Sequence, residues 1–176
     1  MNPQIIVCGL DSIGYRILSL LRQQQAEVVG VNRYPIPGED DIVVGYLLMA
    51  ETLCKAGIKT AQTLVIANND DATNLEILIQ ARLLNPHIRI INRLFNQSLG
   101  DRLDRTLPAH TTMSVAELSA PIFAFAAMNQ MAIGHLQLFQ EIWPIYEERI
   151  HATHPWRDRT LRELWEDRTR MLIYYL

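Results

Sequence analysis

The sequence predicts an α/β fold, a doubly wound parallel sheet of about six strands followed by the beginning of a smaller α+β subdomain. Three observations predict it. Short apolar runs rich in Val and Ile recur along the first two-thirds of the chain, mostly without polar alternation. Strands buried on both faces of a parallel sheet read this way. Helical patterns lie between most of these runs, which implies right-handed crossovers. A turn carrying two glycines, Gly9-Leu10-Asp11-Ser12-Ile13-Gly14, joins the first run to the first helix.

Ile5-Ile6-Val7 is the first strand, and Ile13, Ile17, Leu20 and Leu21 share one face of the helix after it. Val28-Val29-Gly30-Val31 is the second strand. The connection from Asn32 to Asp41 reads as a loop because it holds Pro35, Pro37 and Gly38. Ile42-Val43-Val44 is the third strand, and a short helix from Leu47 to Ala56 is stopped by Gly57. Leu64-Val65-Ile66 is the fourth. The helix after it presents Leu75, Leu78, Ile79 and Leu83 on one face and ends before Asn85-Pro86. Ile88 to Ile91 is the fifth strand. An acid–base helix from Asn96 to Thr106 follows, with Asp101 and Arg105 spaced for a weak ion pair on a solvated face.

Thr111-Thr112-Met113 is the sixth strand, and Ser114 with Glu117 forms a capping box for the next helix. That helix is apolar nearly all round, through Leu118, Ile122, Phe123, Phe125, Met128, Met131 and Ile133, with a kink expected at Pro121. A helix apolar on every side needs partners on more than one side, and a second copy of the chain would supply one. Burial under the last segment of the same chain is the alternative. Farther on, Trp143 to Glu148 reads as an edge-type strand because it contains Pro144. A turn region from His151 to Arg159, a short helix at Leu161-Leu164-Trp165 and a final strand Met171 to Leu176 complete the pattern. That final strand is expected to pair with the strand near Ile145. These features divide the chain at 135/136 and suggest that the second, smaller domain is cut short.

Composition narrows the class. The chain has 176 residues, 49% of them hydrophobic, and a formal charge of −3. No basic face marks a nucleic-acid partner. Cys8 and Cys54 read as reduced core thiols, and the first four residues lack the features of a signal peptide. No stretch is long and apolar enough to read as a transmembrane helix. His151 and His154 stand three apart, but no cysteine or carboxylate completes a metal-ligand set, so no metal site is expected.

The glycine turn carries the functional signal. In a Rossmann-like dinucleotide fingerprint, the first glycine makes the turn, the second admits a pyrophosphate and the third lets helix pack on strand. Gly9 and Gly14 hold the first and third positions, while Asp11 replaces the second glycine with a side chain and a negative charge. The fold requirement is met, and the ligand is left open.

The residues as a group resemble the regulator-of-potassium-conductance (RCK) domain, also called KTN or TrkA-N, over residues 4 to 135. The resemblance is carried by Ile5-Ile6-Val7-Cys8-Gly9 with Gly14, by Leu53-Cys54-Lys55-Ala56-Gly57-Ile58, by Ala67-Asn68-Asn69-Asp70-Asp71-Ala72-Thr73-Asn74, and by Asn85-Pro86-His87-Ile88-Arg89-Ile90-Ile91-Asn92-Arg93. It implies a cytoplasmic regulatory domain at the inner face of a membrane, attached to a potassium channel or transporter subunit. It further implies a homodimer or ring, here through the helix around Ile122 to Met128, and NAD(H) or ATP/AMP as the ligand class.

The positions it assigns to such a ligand are Gly9, Asp11, Ser12, Ile13, Gly14, Asn32, Arg33, Asn68 and Asn69. Several depart from the family pattern. Asn32 stands where an acid would meet the ribose, Tyr46 follows Gly45 where an acid is usual, and Asn68-Asn69 replaces a small residue and a threonine. Arg33 is available to a phosphate. The departures together describe a degenerate pocket, so a ligand-free dimerisation scaffold is the alternative. A nicotinamide-dependent oxidoreductase is a second alternative. It lacks a Tyr-x-x-x-Lys pair, since Lys55 and Lys59 are the lysines of the chain, and no substrate domain is recognised.

Overall fold

The computed structural model describes residues 4–129, 131–138 and 141–166. The chain divides into two compact units, Met1–Ala120 and Pro121–Leu176. In the first, the elements run β1 (Ile5–Cys8), α1 (Ser12–Gln23), β2 (Val28–Asn32), β3 (Val43–Val44), α2 (Ala50–Lys55), β4 (Thr63–Ile66), α3 (Asp71–Leu84), β5 (Arg89–Arg93), α4 (Gln97–Thr106) and β6 (His110–Met113). Helix α5 (Val115–Ala127) follows and continues into the second unit, which holds β7 (Gly134–Leu138), β8 (Glu141–Ile145) and α6 (Leu161–Glu166).

The six strands form one sheet in the order β3-β2-β1-β4-β5-β6, every neighbouring pair parallel. The order reverses at β1 and β4, where Ile5 pairs with Val28 on one side and Thr63 on the other. Both faces are covered. Ile6, Cys8, Leu64, Ile66 and Ile90 pack with Leu53 of α2 and Ile77, Leu78 and Ala81 of α3. Val7 and Val65 face the other way, onto Leu10 and Leu18. The unalternating apolar runs are therefore a sheet buried on both faces.

Gly14 sets how closely α1 sits on β1. A Cβ at that position would lie 1.9 Å from the carbonyl oxygen of Gly9 and 3.3 Å from the Ala67 side chain. The third glycine of the fingerprint is therefore a packing requirement, whatever the ligand.

Several elements differ from expectation for local reasons. The third strand is two residues, Val43 and Val44, and Ile42 before it packs its side chain over Gly30, where an added Cβ would meet it at 3.1 Å. The second helix begins at Ala50, after a turn closed by the Met49 N–H on the Tyr46 carbonyl. Helix α3 buries Asn74, Ile77, Leu78 and Ala81, while Ile79 and Leu83 are 56% and 72% exposed. The Asn74 amide donates to the Asn68 and Arg93 carbonyls at 2.9 and 2.8 Å. Those two bonds fix the rotation of the helix, and the polar residue goes inward at the expense of two apolar ones.

Helix α4 also differs. Asp101 and Arg105 form no ion pair with each other. Asp104 instead faces β6, accepting from the Thr112 N–H and hydroxyl (both 3.1 Å) and contacting Nδ1 of the fully buried His110 side chain at 2.6 Å. Burial raises the Asp104 pKa, but the bonds from Thr112 and His110 outweigh it, and the net displacement is downward.

Helix α5 ends at Ala127, so Met131 and Ile133 lie beyond it. Ser114 caps it by accepting from the Glu117 N–H, while the Glu117 carboxylate bonds Gln97 and does not return to close the box. The edge-type strand is Glu141–Ile145, and its described partner is β7, with Gly134 opposite Ile145 and His135 opposite Pro144. The expected final strand, Met171 to Leu176, lies outside the described residues. Helix α6 opens on a capping box, with Thr160 and Glu163 bonding each other's N–H groups.

Two expectations follow from these contacts. Gly14→Ala should leave little folded protein in circular dichroism, because the clash is with backbone and cannot relax through a rotamer. Asp104→Ala should lower stability by about 1–3 kcal/mol, since it orphans a buried imidazole nitrogen and a strand N–H. A carboxyl with a depressed folded pKa stabilises above its unfolded value of about 3.9 and loses that contribution as pH falls through the folded value. Thermal melts should therefore show the gap between wild type and Asp104→Ala narrowing below about pH 4.

Candidate functional site

The strand order reverses between β1 and β4, and the crevice outside the carboxyl ends of such strands is where ligands bind in open α/β sheets. Gly9 has φ +86°, and a Cβ there would come within 2.9 Å of the Asn68 backbone nitrogen. That close approach brings the turn after β1 against the turn after β4.

The N–H groups exposed by such a turn and by the start of α1 are the donors that hold a phosphate in dinucleotide-binding relatives of this fold. Here the chain's own side chains take three of them. Asp11 is the N-cap of α1, and its Oδ1 accepts from the N–H groups of Ile13 (3.0 Å) and Gly14 (3.2 Å). Asn32 Oδ1 accepts from the Leu10 N–H at 3.1 Å, and Asn32 Nδ2 donates to the Tyr34 carbonyl at 2.9 Å. Each end of the Asn32 amide thus makes one bond that shapes the crevice.

The second carboxylate oxygen of Asp11 faces Arg93, at the end of β5, with Oδ2 3.3 Å from Nη1. The same Nη1 donates to Asn69 Oδ1 at 2.5 Å and to the Ala67 carbonyl at 3.2 Å, and the guanidinium lies 4.9 Å from the centre of the Phe95 ring. Arg93 stands out as a functional candidate that sequence reasoning did not assign to the pocket. Its signal was present in the stretch from Asn85 to Arg93, but nothing in the sequence indicated that its side chain reaches Asp11, 82 positions away.

Gly9, Asp11, Ile13, Gly14, Asn32, Asn68 and Asn69 are thus brought together. Ser12 is at the same turn and exposed. Arg33 is exposed, its guanidinium 5.3 Å from the ring centres of both Tyr34 and Tyr46. The loop from Asn32 to Asp41 is tied to α1 instead by Glu39, which takes the Tyr15 hydroxyl at 2.8 Å and Arg22 at 2.5 Å. Arg22, then Tyr15, hold the Glu39 carboxyl below its ordinary range.

Burial pushes the Cys8 thiol up to about 12, so it is not a thiolate near neutral pH. Among the described residues no three His, Cys, Asp or Glu side chains gather as a metal-ligand group. No helix among them is long and apolar enough to cross a membrane.

Comparison with known proteins agrees with this anatomy. Residues 5–115 match the TrkA-N domain family. An uncharacterized protein of Methanothermus fervidus is 27% identical over 139 residues, covering 74% of this chain and 22% of that protein. The GsuK RCK domain is 26% identical with a TM-score of 0.63, covering 73% of this chain and 28% of that one. The Shewanella denitrificans Kef C-terminal domain, in an AMP-bound form, shares the fold at a TM-score of 0.64 and 23% identity, over 71% of this chain and 78% of that one. This chain spans less than a third of the Methanothermus protein and of the GsuK RCK chain. With the sheet order, the glycine turn and a family match running from β1 to the start of α5, the chain belongs to the TrkA-N family of RCK domains.

Proposed function

We propose that this chain is a regulatory domain on the cytoplasmic side of a potassium channel or transporter, acting as a homodimer or ring and catalysing no reaction. The observation that carries the reading is the match of residues 5–115 to the TrkA-N family, supported by the 26% identity to the RCK domain of GsuK, a chain also solved as a channel. Such a domain gives its output by moving a partner, so it needs a surface to couple through and no chemistry of its own.

Helix α5 supplies that surface in this reading. None of its residues is buried, and Phe123 is 75% exposed. Met128, just past its end, is also exposed, while Ile122 and Phe125 are half-buried. An apolar helix face left in water is costly, and a second copy of the same helix is the economical cover. A ligand-free scaffold is the second reading. The occupied donors of the glycine turn favour it over nucleotide sensing at the pyrophosphate position.

Light scattering should give at least a dimer for the wild type at micromolar concentration, and Phe123→Glu should yield a folded monomer, since the replaced side chain is exposed within one chain. A monomeric wild type would defeat the assembly reading. An absorbance assay with NADH or NADPH and common carbonyl acceptors should show no oxidation above the buffer rate, and steady turnover would restore the oxidoreductase alternative.

A further inference from the structure

We propose that the Asp11 carboxylate is a built-in stand-in for a nucleotide phosphate, clasped by Arg93, and that it closes the pyrophosphate position of this domain to outside ligands. The inference deepens the regulatory reading above and rests on it for its meaning. The geometry on which it stands is independent of that reading.

A phosphate at this turn would need two kinds of partner, the N–H groups opening α1 and a cation. Asp11 has both. One carboxylate oxygen takes the Ile13 and Gly14 N–H groups, and the other faces Arg93. Asn32 takes a further turn donor, the Leu10 N–H. The carboxylate is also sheltered, with the Asp11 and Arg93 side chains only 22% and 11% exposed. An arriving phosphate would therefore have to displace an internal anion from the same donors while itself carrying negative charge. The internal group has the advantage that its entropy of association was lost on folding.

Arg93 would survive the removal of Asp11 in place. Its shorter bond goes to Asn69 at 2.5 Å, with another to the Ala67 carbonyl, and the contact to Asp11 is the longest of the three at 3.3 Å. Deleting the Asp11 side chain therefore frees the helix N–H groups beside a cation already held, and shortening it to Ser leaves only a neutral hydroxyl on them. This makes Arg93 a positioning residue for Asp11 in the wild type and an anion ligand in the opened variant.

The test is calorimetric titration of inorganic pyrophosphate, ADP and NADH into four proteins: wild type, Asp11→Gly, Asp11→Ser, and Asp11→Ser combined with Arg93→Ala. Gly at an N-cap costs only a few tenths of a kcal/mol and Ser retains a cap, so at least one opened variant should fold. Melting curves establish which do. The expected result is no saturation of the wild type by pyrophosphate or ADP, a gain of at least about tenfold in both single variants, and loss of that gain on adding Arg93→Ala. Equal binding by wild type and opened variants would show that Asp11 swings aside freely, which overturns the proposal. Folded Asp11→Gly and Asp11→Ser proteins with no gain would overturn it as well, by showing that Asp11 only caps the helix. Light scattering on the same wild-type sample reports on the regulatory reading separately, since a monomer there leaves the binding comparison intact.

Discussion

The contact between Gly14 and the Gly9 carbonyl is the constraint from which this structure is built. Only hydrogen fits in the gap left for a side chain, 1.9 Å from oxygen to an imagined Cβ. Helix α1 can therefore start directly off the end of β1 and lie flat on the sheet, and Leu18 reaches the core beside Val7 and Val65. The same closeness aims the first N–H groups of the helix at the carboxyl ends of the central strands. Every protein that uses this turn must satisfy those donors. What satisfies them decides whether the crevice is a receptor or a joint.

In this chain three of the donors, the N–H groups of Leu10, Ile13 and Gly14, are met from within. An aspartate at the N-cap is among the better choices for a helix and complements its dipole, worth about 0.5–2 kcal/mol against alanine. Stability and ligand binding compete for one set of N–H groups. Asp11 resolves that competition toward stability, and Arg93 and Asn32 complete the resolution from β5 and β2. The altered fingerprint thus carries internal hydrogen-bonding partners at Leu10, Ile13 and Gly14.

The opposite end of the sheet is fastened in the same manner. Asn85, after α3, donates to the Ile58 and Ala61 carbonyls, and Arg82 donates to the carbonyls of Pro86 and Ile88. At the crevice end, Asp71 accepts from the Phe95 and Asn96 N–H groups, which anchors the entry to α4. Polar side chains at the helix termini therefore hold the connections while the apolar interior holds the layers.

The sequence by itself determined the layered architecture. Unalternating Val- and Ile-rich runs, helical patterns between them and glycines at 9 and 14 are local signals, and each is enforced wherever the chain goes. It also marked the pocket as altered, because a carboxylate in place of a glycine is legible in one dimension. Tertiary structure alone decided what that carboxylate does. Repulsion of a phosphate and capping of a helix read alike at Asp11 until the position of Arg93 is known, and that partner comes from a strand 82 residues away. The inward turn of Asn74, the clasp of Asp104 on His110 and the pairing of β8 with β7 were hidden for the same reason. Hydrophobic periodicity reports which faces prefer burial. Which polar group finds a partner depends on distances between elements that no local pattern records.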